Sequence, residues 1–261
     1  MEKKPIGCII QAHMSSSRFP KKVMREVYDH KTVLDCVIEQ LSSSKLIDNV
    51  VVATSQDKID DTIEMHLQKK GISCFRGSET DVLDRYYQCA REYSFPTIIR
   101  IPADKPIIDP FFVDKIIQEF LDHDFDYITT FNPPSFPRGS EVEIFNFCSL
   151  ERAWKNARLP SEREHVTSYL YTTKNFKIMN FANNKDQSNI RYAVDRPKDL
   201  LLVQKIFSKI QKRPILMQDI LQLFEQEPSL FDINKDVDHD EGYNKSIKYD
   251  KEFLKNQDSQ L

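Results

Sequence analysis

Four times in its first 121 residues the chain sets a short apolar run ahead of a stretch with helical apolar spacing, and few folds accommodate that alternation. Gly7–Gln11, Val50–Ala53, Ser73–Phe75 and Ile98–Ile101 read as strands. The helices that follow carry Val33, Val37, Ile38 and Leu41, then Ile59, Ile63 and Leu67. A third, opened by Thr80, carries Val82, Leu83, Tyr86, Tyr87 and Ala90. The fourth has Asp109 as N-cap and Pro110 at its first position, with Val113, Ile116, Ile117, Phe120 and Leu121 as its buried stripe. Parallel strands need covered crossovers of this length, so the pattern predicts an α/β fold built on a doubly wound, mostly parallel sheet.

The second half changes character. Tyr127–Phe131 and Val142–Phe145 read as strands joined by the Pro-rich loop Asn132–Gly139, a small mixed-sheet extension. A helix is expected around Leu150–Asn156, and Ser161-Glu-Arg-Glu164 reads as a capping box opening a helix through Tyr171. Strands at Lys177–Phe181 and Ile190–Val194 and a helix over Pro197–Ile210 complete the pattern, within a main domain of residues 1–227. Residues 228–261 hold eight acids against five lysines, with sparse apolar positions, and read as an extended or partly helical acidic appendage.

Composition removes several classes. With 40% hydrophobic and 30% charged residues, the chain can bury a sizeable core and still coat a soluble surface. No apolar run approaches the ~18 residues of a membrane span. Ile6–Ile10 after Lys3 and Lys4 is too short for a signal peptide, so a cytoplasmic protein without a membrane partner is expected. Five widely spaced cysteines without a CxxC pair suggest reduced thiols. A net charge of -3 gives no electrostatic case for a nucleic-acid partner.

Open α/β sheets bind ligands beyond the carboxyl ends of their strands. The loop Gln11–Lys22 packs three serines, Arg18, Lys21 and Lys22 directly after the first strand, a composition that suits a polyphosphate and equally a solvated turn. It contains neither GxGxxG nor GxxxxGK[ST], which argues against a dinucleotide fingerprint and a P-loop. Asp104 and Asp195 fall where strands should end, where carboxylates can hold Mg²⁺ with substrate phosphates. Taken singly, Asp104 also suits the turn at Pro106, and Asp195 suits a helix cap before Pro197. Tyr86-Tyr87 reads as core packing, His66 and His123 as ordinary helix residues, His239 as part of a solvated acidic turn, and Cys148 lacks an adjacent activating His or Lys.

The run Ile9-Ile-Gln-Ala-His-Met-Ser-Ser-Ser-Arg-Phe-Pro-Lys-Lys-Val23 resembles the opening motif of the sugar cytidylyltransferases, which include CMP-3-deoxy-manno-octulosonate and CMP-sialic acid synthetases. Phe75–Tyr87, Asp104–Pro110, Phe136–Glu143, Arg163–Thr167 and Ile190–Pro197 resemble further blocks in the same order, and the likeness is strongest to the spore-coat polysaccharide biosynthesis protein F branch. Over about residues 6 to 210, the resemblance implies a glycosyltransferase-A-like Rossmann nucleotidyltransferase fold that transfers CMP from CTP to an anionic sugar. It also implies a homodimer, formed through residues 127–147. By resemblance Arg18 and Lys22 contact the triphosphate, Asp104 and Asp195 hold Mg²⁺, and Gln11, Ala12, His13, Ser15, Thr54 and Arg76 border the nucleotide. The sugar side takes Arg138, Glu141, Glu143, Arg163, His165 and Arg191. His13 replaces a family arginine, and Ser15, Lys21 and Ala103 replace family glycines, so a positive φ at any of those three would strain the loop. A sugar phosphate or phosphonate acceptor, and a non-catalytic nucleotide-binding member of the same fold, are the alternatives.

Overall fold

The structure, a computed structural model, describes the backbone of residues 5–237 and 241–258. Its strands are β1 (Ile6–Gln11), β2 (Glu26–Tyr28), β3 (Lys31–Thr32), β4 (Asn49–Ser55), β5 (Ser73–Gly77), β6 (Thr97–Pro102), β7 (Tyr127–Thr129), β8 (Glu143–Asn146) and β9 (Ile178–Asn180). The helices are α1 (Val33–Leu41), α2 (Asp61–Lys69), α3 (Val82–Glu92), α4 (Pro110–Asp122), α5 (Phe147–Asn156), α6 (Pro160–His165), α7 (Ser168–Thr172), α8 (Pro197–Lys209), α9 (Met217–Gln226) and α10 (Glu241–Asp258).

Seven strands form one sheet in the order β5-β4-β1-β6-β8-β7-β9, and β2 with β3 forms a separate hairpin. The first four are parallel, β8 runs antiparallel to both β6 and β7, and β9 is parallel to β7. Alternation along β1 sends Cys8 and Ile10 to one face and Ile9 to the other. Cys8 and Ile10 pack with Leu34, Val37, Ile63 and Val113 of α1, α2 and α4. Ile9 packs with Leu83, Tyr86, Leu150 and Leu170 of α3, α5 and α7. A third cluster joins the hairpin to α8 and α9 through Val27, Leu202, Ile206 and Ile220. Burying each such side chain contributes roughly 1.5–3 kcal/mol, which holds the sheet rigid beneath its loops.

Several expectations are corrected. Asp81, not Thr80, caps α3, its carboxylate accepting the Asp84 amide at 2.8 Å. Ile59 and Leu121 are exposed, Ile59 because it sits in a 3-10 turn ahead of α2. The helix expected from Ser161 through Tyr171 is two helices. Pro160 begins α6, Glu162 reaches back to the Leu159 amide at 3.0 Å, and Val166 breaks the run at φ 64. Ile190–Val194 is not a sheet strand: the segment makes an isolated bridge between Arg138 and Arg191, and its alternating Tyr192 and Val194 are buried against the α8 cluster. Helix α9 lies beyond the last helix that the sequence pattern predicts.

Within residues 228–261, expected as an appendage, Leu230 joins the third cluster and Asp250 is buried, whereas His239 lies outside the described residues. Strands β7 and β8 lie inside the sheet, so residues 127–147 offer no open strand edge for the expected dimer contact. Their exposed part includes Asn132 and Pro133. Among the described residues, no helix is long and apolar enough to cross a membrane.

Candidate active site

The parallel strands follow one another across the sheet as third, second, first and fourth, so connections diverge between β1 and β6 and open a crevice at their carboxyl ends. The loop after β1 is pinned from several sides. The Met14 amide donates to Asp60 Oδ1 at 2.7 Å, the Lys21 amide donates to Met14 O at 2.9 Å, and the Ala103 amide donates to Gln11 O at 2.9 Å. Of the three positions that replace family glycines, Lys21 alone takes a positive φ, 61°. Ser15 and Ala103 need no glycine-like backbone.

That loop delivers two cations to two carboxylates. Lys22, 5% exposed, places Nζ 2.8 Å from Asp104 Oδ2 and 2.6 Å from Asp195 Oδ1, while Arg18 donates to Asp195 Oδ1 at 2.9 Å. Arg191 closes the other side, donating to Asp195 Oδ2 at 2.8 Å and to buried Asp199 at 3.1 Å. Although no strand precedes Asp195, the Val194 amide donates to Asp104 O at 2.8 Å and brings the two aspartates side by side. Burial opposes the Asp195 charge, but Lys22 and then Arg18 outweigh it and hold the carboxyl well below the usual range. Burial likewise works against the Lys22 ammonium, and Asp104 and Asp195 outweigh it and raise its pKa.

Two cavities meet this crevice. The larger, about 510 Å³, is lined by Gln11, His13 and Ser15 from the first loop, Glu79, Thr80 and Arg85 from the β5–α3 region, Arg163 and Glu164 from α6, and Tyr249 from α10. The smaller, about 280 Å³, takes Arg100, Lys105, Arg138, Glu141, Glu143, His165 and Arg191 together with Asp104 and Asp195. Within it Lys105 pairs with Glu141 at 3.1 Å, Glu143 pairs with Arg100, and the Tyr127 hydroxyl donates to Glu143 at 2.7 Å. Burial raises the Glu141 carboxyl, but Lys105 and the Gly139 amide bring it below its ordinary value. His165 is lowered by burial, and His13 by burial and then by Lys22, which favours neutral rings.

Most of the residues singled out in the sequence converge here, and some do not. Arg163, expected on the sugar side, lines the larger cavity, where Asp81 holds its Nε at 2.9 Å. Arg76 lies away from both cavities, tied to Asp61 at 2.8 Å, Glu64 at 2.6 Å and the Ser55 carbonyl. Ala12 and Thr54 are fully buried and line neither. Sequence reasoning missed Asp60, Arg85, Arg100, Lys105 and Asp199. The position of Lys105, next to Asp104, offered a signal, and so did Asp199, which caps the Asp195 and Arg196 amides from the first turn of α8, whereas Met14, which Asp60 holds, and Glu143, which pairs with Arg100, are distant in the chain.

Comparison with known proteins shows the family and the fold. The cytidylyltransferase family model matches residues 7–248. An uncharacterized protein of Methanocaldococcus jannaschii is 35% identical, covering 90% of this chain and 96% of its own. The spore coat polysaccharide biosynthesis protein SpsF of Bacillus subtilis is 30% identical, covering 84% and 94%. The solved structure of a cytidylyltransferase from Leptospira borgpetersenii superposes with a TM-score of 0.85 at 32% identity, covering 91% of this chain and 100% of that one. With a sheet, a crevice and a match that all span the same residues, the chain belongs to the cytidylyltransferase family.

Proposed function

We propose that the chain transfers a cytidylyl group from CTP to an anionic sugar and releases pyrophosphate. An acceptor oxygen attacks the α-phosphorus, the bond from that phosphorus to the β-bridging oxygen breaks, and pyrophosphate leaves with the electron pair. Such a transfer requires alignment and charge neutralisation rather than a protein nucleophile. The observation that carries this reading is the Asp104–Lys22–Asp195 cluster, whose carboxylates line one cavity while its lysine ends the loop lining the other.

The larger cavity suits the nucleotide, since its volume falls within the range of small-molecule sites and it takes the Ser15 hydroxyl from the loop that also carries Arg18 and Lys22. Asp104 and Asp195 would hold Mg²⁺. The donors fit, because two carboxylates close enough to share one ammonium present hard oxygens, and substrate phosphates and water complete the shell. When bound, the ion supplies charge neutralisation at the α-phosphate. Arg18 and Lys22 neutralise further phosphate charge, and Asp199 keeps Arg191 and Asp195 in register.

The smaller cavity suits the acceptor. Arg100, Lys105, Arg138 and Arg191 balance Asp104, Glu141, Glu143 and Asp195, so a divalent cation bound by the aspartates leaves the cavity net positive and ready for a carboxylate. The similarity to a protein named for polysaccharide biosynthesis supports a sugar substrate. Pyrophosphate release with CTP, ATP and GTP against sugar acids and their neutral analogues tests the reading. CTP with an acid acceptor should turn over; equal turnover with ATP contradicts the cytidylyl assignment, and equal turnover of the neutral sugar contradicts the anionic acceptor.

A further inference from the structure

Helix α10 packs along α6 through a polar seam. Asp250, 7% exposed, accepts the Ser161 amide at 2.9 Å, which satisfies a donor of the first turn of α6 that has no partner inside that helix. One turn earlier Ser246, 2% exposed, donates its hydroxyl proton to Glu164 Oε2 at 2.7 Å. Its oxygen also lies 2.9 Å from His165 Nε2. A serine hydroxyl has a single proton, so the proton of the second bond belongs to His165, and Ser246 selects the tautomer with hydrogen on Nε2.

Those contacts reach both cavities. Glu164 and Tyr249 line the larger one, and His165 lines the smaller. Tyr249 is 47% exposed, with one side toward a cavity whose apolar lining includes Val82 and Pro160. A half-exposed aromatic ring beside apolar surface and polar groups offers a face for a planar base or a sugar.

We propose that α10 is a working part of the active site, with Tyr249 as a binding residue for the nucleoside moiety and Ser246 as a positioning residue for Glu164 and His165. This inference rests on the nucleotide reading of the larger cavity. It assigns to the C-terminal helix the wall that neither α6 nor the first loop supplies, and it ties the nucleotide and acceptor cavities to one docked element.

The test is calorimetric titration of the full-length protein with CTP, UTP, ATP and GTP, paired with steady-state kinetics. Tyr249→Ala should weaken the preferred nucleotide about three- to tenfold with the melting temperature unchanged, and Tyr249→Phe, which keeps the ring, should restore most of the affinity. Lys251→Ala, at an exposed α10 position, should bind as the unaltered protein does. Ser246→Ala should raise the acceptor KM or lower kcat more than it changes nucleotide affinity, with Ser246→Thr recovering part of the loss. Unchanged affinity for every nucleotide in Tyr249→Ala overturns the inference while leaving cytidylyl transfer standing. Preference for a purine triphosphate that Tyr249→Ala still weakens supports the inference while overturning cytidylyl transfer, and no nucleotide binding by the unaltered protein overturns both.

Discussion

The amide of Asp195 donates to Asp199 Oδ2 at 2.9 Å, so a carboxylate with no solvent exposure fixes where the site carboxylate stands. Asp199 also accepts from Arg191 at 3.1 Å and from Asn234 at 2.7 Å. Removing one partner of a buried ionic network leaves the other charge uncompensated and costs about 3–5 kcal/mol. Asp199→Ala should lose stability on that scale in urea unfolding, and turnover should fall even well below the unfolding midpoint because Arg191 and Asp195 lose their register.

Lys21 carries a left-handed backbone that disfavours any residue with a Cβ by about 1–2 kcal/mol. Glycine removes that penalty and returns part of it as unfolded-chain entropy. Lys21→Gly should therefore raise the melting temperature by about 1–4 °C, whereas Lys21→Ala, which loses the same charge but keeps a Cβ, should not. Equal melting temperatures for the two variants would show that the backbone is relaxed there.

Asp35 gives the fold an acid-sensitive anchor. Burial pushes its carboxyl up, but the Thr32 amide at 2.9 Å, Lys70 at 2.9 Å and His66 at 2.8 Å outweigh burial and leave it at about 2, below the ordinary 3.8. A depressed folded-state value means stability that is present above the ordinary value and lost as pH falls toward 2. The lost contribution is about 2 kcal/mol, and Asp35→Asn should remove it, flattening the fall in stability between about pH 5 and 2 in denaturant melts.

At Gly139 φ is +112°, and an added Cβ would meet Tyr192 Cδ2 at 2.7 Å and the Ala193 amide nitrogen at 2.8 Å. Tyr192 is fully buried, so neither neighbour can move cheaply. Gly139→Ala should cost about 2 kcal/mol or more in unfolding experiments and raise the acceptor KM, because Arg138 and Glu141 flank the shifted turn.

What the sequence revealed and what it hid have physical reasons. The four βα units were readable because each is a local pattern, such as Asp109 capping a helix that Pro110 begins. Ile190–Val194 misled because alternating burial reads as a strand whether the partner is a sheet or, as here, the α8 cluster. Helix α9 buries a stripe of Ile220, Leu223 and Phe224 whose spacing is helical in the sequence as well. The convergence of Asp104, Asp195, Arg18 and Lys22 is foreshadowed by composition at expected strand ends together with the family resemblance. Asp60 is hidden because the Met14 amide it accepts lies far away in the chain, whereas Asp199 caps the Asp195 and Arg196 amides from the first turn of α8, a local pattern that is legible in the run Asp195-Arg-Pro-Lys-Asp199; nothing local announces the pairing of Arg163 with Asp81.

Cytidylyl transfer centred on Asp104 and Asp195 stands or falls on pyrophosphate release at saturating CTP and sugar acid, measured with Mg²⁺ for the unaltered protein, Asp104→Asn and Asp195→Asn. Each substitution keeps the side-chain shape and removes one anionic oxygen donor, so turnover should drop by at least ~10²-fold in both folded variants and should vanish on chelation of Mg²⁺. Near-normal turnover in either variant would remove that aspartate from the reaction centre and contradict the proposed chemistry.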